Sequence, residues 1–132
     1  MRPVNPESLG EPRGWNNGML APAGGRVLFI AGQTARGPDG DIVPGDFVAQ
    51  FELALERVLR VVGEAGGGPV DVGRMTVYVT DLAAYRGSLE SLGVAWRRHM
   101  GRHYPAMALV EVQGLVDEGA LVEIEATAVL SP

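Results

Sequence analysis

Apolar residues at helical spacing mark the strongest pattern in the chain, between Asp46 and about Ala65. Asp46 suits the N-cap position, and the run Gly66-Gly67-Gly68-Pro69 suits the end of a helix. The apolar positions are Phe47, Phe51, Ala54, Leu55, Val58, Leu59 and Val62. A second helix is predicted after Asp81 and should end near Met100-Gly101. Its stripe consists of Tyr85, Leu89, Leu92 and Trp96.

The strands are predicted from short apolar runs and from alternating segments. Residues 27–32 form a buried run, residues 74–80 alternate, and two further strands cover about 106–112 and 121–130. The turn at Gly37–Asp41 predicts a return strand at Ile42-Val43, and residues 1–25 read as loop or edge strand. This order favours one α+β domain over residues 1–132, a two-layer sandwich with two helices on one face of a mixed sheet.

Alternation along the last two strands predicts that both faces of the sheet carry apolar side chains. The helices should cover one set, and Met107 and Leu109 should lie beside Glu123 on the other face. A face that mixes apolar groups with carboxylates is expected to be buried against another subunit. The set facing the helices is Ala106, Ala108, Val110 and Val112 in one strand and Val122, Ile124, Ala126, Ala128 and Leu130 in the other.

Composition then excludes several classes of function. The chain has no Cys, which rules out disulfides and thiolate chemistry. Its net charge of −5 makes nucleic acid an unfavoured partner. It has no apolar run long enough to span a membrane and no signal-peptide pattern, so we expect a cytoplasmic protein. His99 and His103 have metal-ligand spacing, but Gly101 and Pro105 end the helix there, so no metal site is predicted.

Several motifs in order resemble the RidA family, also called YjgF or L-PSP, of imine and enamine deaminases. They span about Trp15 to Val129: Ala31-Gly32-Gln33, Asp46–Gln50, Met75–Leu82, Tyr104-Pro105-Ala106, Val110-Glu111-Val112 and Val122–Val129. The resemblance implies a chorismate-mutase-like fold, a homotrimer, no cofactor, and ligand clefts between neighbouring subunits.

The resemblance also implies roles for individual residues. Glu123 would orient or activate water, Ala31 and Gly32 would lie at the ligand with Gly32 offering backbone groups, and Trp15 lies near the family's aromatic residue. The chain departs from the family's Pro-Ala-Arg, because Met107 stands where an Arg grips the substrate carboxylate. Two more substrate-binding positions have changed: Leu89, where the family often has Asn, and Leu109, where it often has Cys or another small residue.

These residues predict a RidA-like hydrolase for a small imine or enamine, with an apolar cleft that favours ligands of little carboxylate character. Glu123 could instead be an interface carboxylate paired with an Arg of a neighbouring chain. The alternative function is a noncatalytic trimer that binds a small metabolite or a protein, and RNA cleavage or translational inhibition is less favoured. The sequence leaves open whether Arg13, Arg26, Arg36 or Arg74 has taken over the role of the missing Arg.

Overall fold

A computed structural model describes all of residues 1–132 and contains six strands and three α-helices. Two 3-10 helices, Glu7–Leu9 and Pro69–Asp71, complete the regular structure. In chain order the elements are β1 (Arg2–Val4), β2 (Gly18–Leu20), β3 (Arg26–Gln33), α1 (Phe47–Glu64), β4 (Val72–Val79), α2 (Leu82–Arg86), α3 (Leu89–Met100), β5 (Ala106–Glu111) and β6 (Val122–Leu130).

The main sheet has the strand order β3-β6-β4-β5. Strand β6 pairs antiparallel with both β3 and β4, and β5 pairs parallel with β4, so the sheet is mixed. Helices α1 and α3 contact each other, and α1 packs on β3 and β6. The predicted α+β fold is therefore confirmed, and β1 and β2 form a separate two-stranded ribbon.

Helix α1 forms as its pattern predicts. The Asp46 carboxylate accepts a hydrogen bond of 2.9 Å from the Ala49 amide, which caps the first turn. The apolar stripe of α1 faces the sheet, and Ala54, Leu55, Val58 and Val62 are fully buried there. Against them lie the side chains that β6 was predicted to direct toward the helices, from Val122 to Leu130.

Two local predictions were wrong. The single helix expected after Asp81 is divided into α2 and α3 at Gly87-Ser88, where the Ser88 hydroxyl donates to the Ala84 carbonyl at 2.7 Å and competes with the helical backbone bonds. The expected return strand at Ile42-Val43 is one isolated bridge between Arg36 and Ile42. Pro44 follows directly and lacks the N–H that would extend the ladder.

The sheet face opposite the helices is uncovered in the single chain. Phe29 is 81% exposed on this open face, and Val27 and Val110 are also exposed. Arg74, Thr76 and Tyr78 share the face, since they alternate with the fully buried Met75, Val77 and Val79. None of the helices combines the length and apolar character needed to cross a bilayer.

Candidate functional site

An apolar groove lies between the helices and the β5 edge of the sheet. Its volume is about 390 Å³, and most of its lining is hydrophobic. Its lining includes Arg13, Trp15, Leu89, Trp96, Tyr104, Met107 and Leu109. The structure thus brings together four predicted substrate-binding residues, Trp15, Leu89, Met107 and Leu109. A concave, apolar surface with few polar groups is typical of a small-molecule site.

The N-terminal arm forms one rim of the groove. The Asn16 amide N–H donates to the Pro105 carbonyl at 3.1 Å, so the arm docks beside the start of β5. This contact holds Trp15 over the groove, where its side chain remains 44% exposed. The predicted aromatic contact therefore reaches the groove through a segment that the sequence predicted as loop or edge strand.

Two stacked aromatic rings form part of the groove lining. Trp96 and Tyr104 lie 5.9 Å apart between ring centroids, with ring planes inclined by 3°. The Trp96 indole N–H donates to the His103 carbonyl at 3.1 Å, which satisfies its polar atom. Stacking and the hydrogen bond together fix the orientation of the buried Trp96 ring.

Met107 and Leu109 lie on the helix side of the sheet, contrary to the prediction that they share the face of Glu123. In the parallel β4–β5 ladder, Met107 is level with Met75 and Leu109 with Val77, both fully buried under the helices. Val110, which was assigned to the helices, is level with Tyr78 on the open face. Both faces of β5 are apolar. The alternating pattern therefore grouped the residues of each face correctly, but the prediction of which face packs against the helices was wrong.

Glu123 lies on the open face beside a bulge at Ala31-Gly32. The register advances from Ile30 opposite Ala126 to Gln33 opposite Ile124, so β3 has one more residue than β6 in this interval. A methyl group on Gly32 would lie 2.7 Å from Cδ of Glu123. Glycine therefore permits the carboxyl group to approach the backbone of the bulge, and the predicted Ala31, Gly32 and Glu123 lie together.

The surroundings of Glu123 favour its protonated form. Burial, the nearby Asp117 and the nearby Glu125 raise the pKa of Glu123, in that order of importance. None of the salt bridges in the chain involves Glu123. A partly buried carboxyl group that has a raised pKa and no cationic partner can exchange a proton with a bound water or ligand.

Tyr78 and Asp117 complete this cluster and were missed by the sequence analysis. The Tyr78 hydroxyl donates to Glu125 at 2.6 Å, and this hydrogen bond raises the pKa of Tyr78. Asp117 accepts a 2.7 Å hydrogen bond from the buried Thr34 hydroxyl. The alternation of β4 placed Tyr78 on the polar side, but only the β4–β6 register shows that it is opposite Glu123.

The histidines near the end of α3 have structural partners. His99 Nε2 lies 3.0 Å from Glu52 Oε1, and His103 Nε2 lies 2.7 Å from the Val72 carbonyl. Burial opposes ionisation of Glu52, but hydrogen bonds from Arg98 and His99 outweigh it and lower the pKa of Glu52. No group of three or more His, Cys, Asp or Glu side chains is arranged to hold a metal ion.

Within one chain the groove and the Glu123 cluster lie on opposite faces of the sheet. Met107 is level with the buried Met75, whereas Glu123 is level with Tyr78 on the open face. A ligand in the groove of one chain therefore does not reach the Glu123 of the same chain across the sheet.

Comparison with protein-family models matches residues 13–130 to the family described as Endoribonuclease L-PSP. Among curated relatives, the Escherichia coli K12 protein named "Putative reactive intermediate deaminase TdcF" is 33% identical over 110 residues, covering 81% of each chain. A RutC family protein of Pyrococcus abyssi is 33% identical over 105 residues, covering 79% of each chain.

Solved structures of proteins from the same family superpose on the chain. The Yersinia pestis protein YyfB, described as a member of the conserved Rid family, superposes with a TM-score of 0.83 at 33% identity and covers 98% of both chains. Escherichia coli TdcF with bound serine superposes with a TM-score of 0.70 at 32% identity and covers 92% of both chains.

Proposed function

The chain belongs to the Endoribonuclease L-PSP family, also called RidA or YjgF, and on that premise we propose that it hydrolyses a reactive imine or enamine. The relative TdcF is named as a deaminase, and its crystal structure contains a small molecule, serine. An enamine would first take a proton on carbon and lose one from nitrogen, which converts it to an imine. Water then adds to the imine carbon, the carbon–nitrogen bond breaks, and ammonia and a carbonyl compound leave.

The observation that carries this proposal is the placement of Glu123. Its carboxyl group lies against the Gly32 bulge and has no salt-bridge partner in the chain. Burial and the charges of Asp117 and Glu125 raise its pKa toward the range where it can both take and return a proton. Glu123 would accept a proton from the attacking water, and the same proton would later reach the departing amine.

We place the complete site between two subunits of a homotrimer. The open face carries exposed apolar side chains, above all Phe29, which a neighbouring copy would cover. Such an interface would bring the Glu123 cluster of one subunit to the groove of the next. The site would then use both halves that the fold keeps apart within one chain.

Met107 should change the choice of substrate. A thioether cannot form the paired hydrogen bonds by which a guanidinium holds a carboxylate. Leu89 and Leu109 make the same groove more apolar. Small imino acids, whose carboxylate would lie beside Met107, should therefore be poor substrates, and imines with apolar substituents should be better ones.

A noncatalytic small-molecule or protein-binding trimer is the second candidate, and the replacement of the anion-binding position by Met107 is the observation in its favour. Ribonuclease activity finds less support, since the chain has a net charge of −5.

Ammonia release from imines generated in situ tests the proposal. Wild-type protein should accelerate release, and Glu123→Gln should reduce its turnover by about 10²–10⁴ while the oligomer mass stays unchanged. Glu118→Gln, in an exposed loop residue, is the matched control and should retain turnover. Equal turnover in wild type and Glu123→Gln, combined with a weakened oligomer, would leave the binding module as the better description.

A further inference from the structure

The structure separates the four arginines that could replace the missing anion-binding group. Arg26 donates to the Ser131 carbonyl at 3.2 Å, near the chain's C-terminus. Arg36 lies beside Gly40 in the turn that follows β3. Arg74 lies on the open face of β4, on the side of Tyr78, and lines a second cavity with Trp15 and Met107 but not the groove that contains Leu109. Arg13 is the one charged residue in the lining of the groove that contains Met107 and Leu109.

Arg13 combines a tethered backbone with a free guanidinium. It precedes Gly14, whose φ of 81° turns the arm, and Asn16 then docks on the Pro105 carbonyl. Its side chain is exposed and forms none of the salt bridges in the chain. The charge is thus held near the groove rim without a partner, where a ligand anion could meet it.

We propose that Arg13 is a specificity-determining residue whose guanidinium binds the carboxylate of the ligand at the rim of the groove. The apolar body of that ligand would lie against Trp15, Leu89 and Met107. The ligand class is therefore a carboxylate joined to an apolar or aromatic group of several carbon atoms. A small 2-imino acid with its carboxylate at Arg13 would have little apolar body to place along the lining.

This assignment names a substrate class for the proposed function. The identity of the reacting group, an imine or enamine, rests on the proposed function, whereas binding of the carboxylate at Arg13 does not. With Met107 in place of the family's Arg, the anion site would lie at the rim of the groove rather than inside it. Preferred substrates would then have a longer apolar part between the carboxylate and the groove interior.

Tryptophan fluorescence gives a direct binding assay, because the chain has two tryptophans and both line the groove. We would titrate the protein with 3-phenylpropionate and with its neutral amide, 3-phenylpropionamide. Wild type should bind the acid about three- to tenfold more tightly than the amide, a charge-assisted contact reduced by partial exposure to solvent. Added salt should diminish this preference.

Substitutions at Arg13 then show whether this residue causes the preference for the acid over the amide. Arg13→Gln should bind acid and amide equally, whereas Arg13→Lys should retain part of the preference. Arg60→Gln, which removes an exposed charge paired with Glu56 on α1, is the matched control and should behave as wild type. Equal binding of the two probes by wild type, a preference that survives Arg13→Gln, or no saturable binding of either probe would each overturn the assignment.

The two hypotheses fail separately. An Arg13-dependent preference for the acid in a protein that releases no ammonia would support the anion site and refute the deaminase. Ammonia release that depends on Glu123, without any effect of Arg13 on binding, would do the reverse.

Discussion

The substitution Gly32→Ala should displace the Glu123 carboxyl group while the fold persists. The new methyl carbon would lie 2.7 Å from Cδ of Glu123 and 2.9 Å from both Cγ and Oε2. Glu123 has to withdraw by about 0.7 Å to reach an ordinary contact of 3.4 Å. Gly32 does not have a positive φ, so alanine can adopt its backbone conformation.

Because the atoms that must move belong to a flexible side chain, the free energy of unfolding should change by no more than about 1 kcal/mol. Turnover should fall by about 10²-fold, since a displacement approaching 1 Å disturbs a proton-transfer geometry to that extent. Ammonia release and a denaturant titration measure the two effects. Gly114→Ala adds a methyl group to open space and should change neither. Undiminished turnover in a folded Gly32→Ala protein would refute the assigned role of the bulge.

Three further predictions concern the position of Met107 at the ligand, the position of Phe29 in the interface and the ionisation of Glu123. Met107→Arg should raise the turnover of imines derived from 2-aminoacrylate by about tenfold, measured as ammonia release, because it restores a charge-assisted contact; no gain would mean that Met107 is not at the ligand. If the protein forms the proposed homotrimer, Phe29→Glu should convert it to monomers in light scattering, since the exposed Phe29 belongs to the proposed interface; an intact trimer would place the interface elsewhere. The acid limb of the pH–turnover profile should lie above the ordinary Glu value of 4.5, because a raised pKa keeps Glu123 protonated to higher pH and only its ionised form accepts a proton from water. The residual turnover of Glu123→Gln should show no such acid limb in its pH profile. An acid limb that persists in this variant would come from another titrating group.

An element of the fold was predictable from the sequence where its own residues determine where it begins and ends. Helix α1 was predictable because the Asp46 cap, the apolar stripe and the glycine run agree. The split between α2 and α3 was not, since the apolar spacing continues across Gly87-Ser88 and only the hydrogen bond of Ser88 shows the break.

The sequence pointed to several residues of the candidate site, but it did not predict the geometry of the site. Leu109 and Val110 are both apolar, so neither marks the helix side of β5, and the register with β4 decides which does. The approach of Glu123 to Gly32 depends on a bulge whose place in the ladder is a property of strand pairing. Arg13 was one of four arginines that the sequence left open, and the docked N-terminal arm distinguishes it from the others because it brings Arg13 to the groove.

Mixed oligomers test the central claim, that Glu123 of one subunit serves the groove of another. Glu123→Gln removes one half of the site, and Met107→Trp, which fills the groove, removes the other. Equal amounts of the two variants, unfolded together and reassembled, should recover about one quarter of wild-type ammonia release, because that share of the shared sites combines two intact halves. Mass spectrometry would verify that mixed trimers have formed. Activity no greater than that of the separate variants would contradict a site shared between subunits.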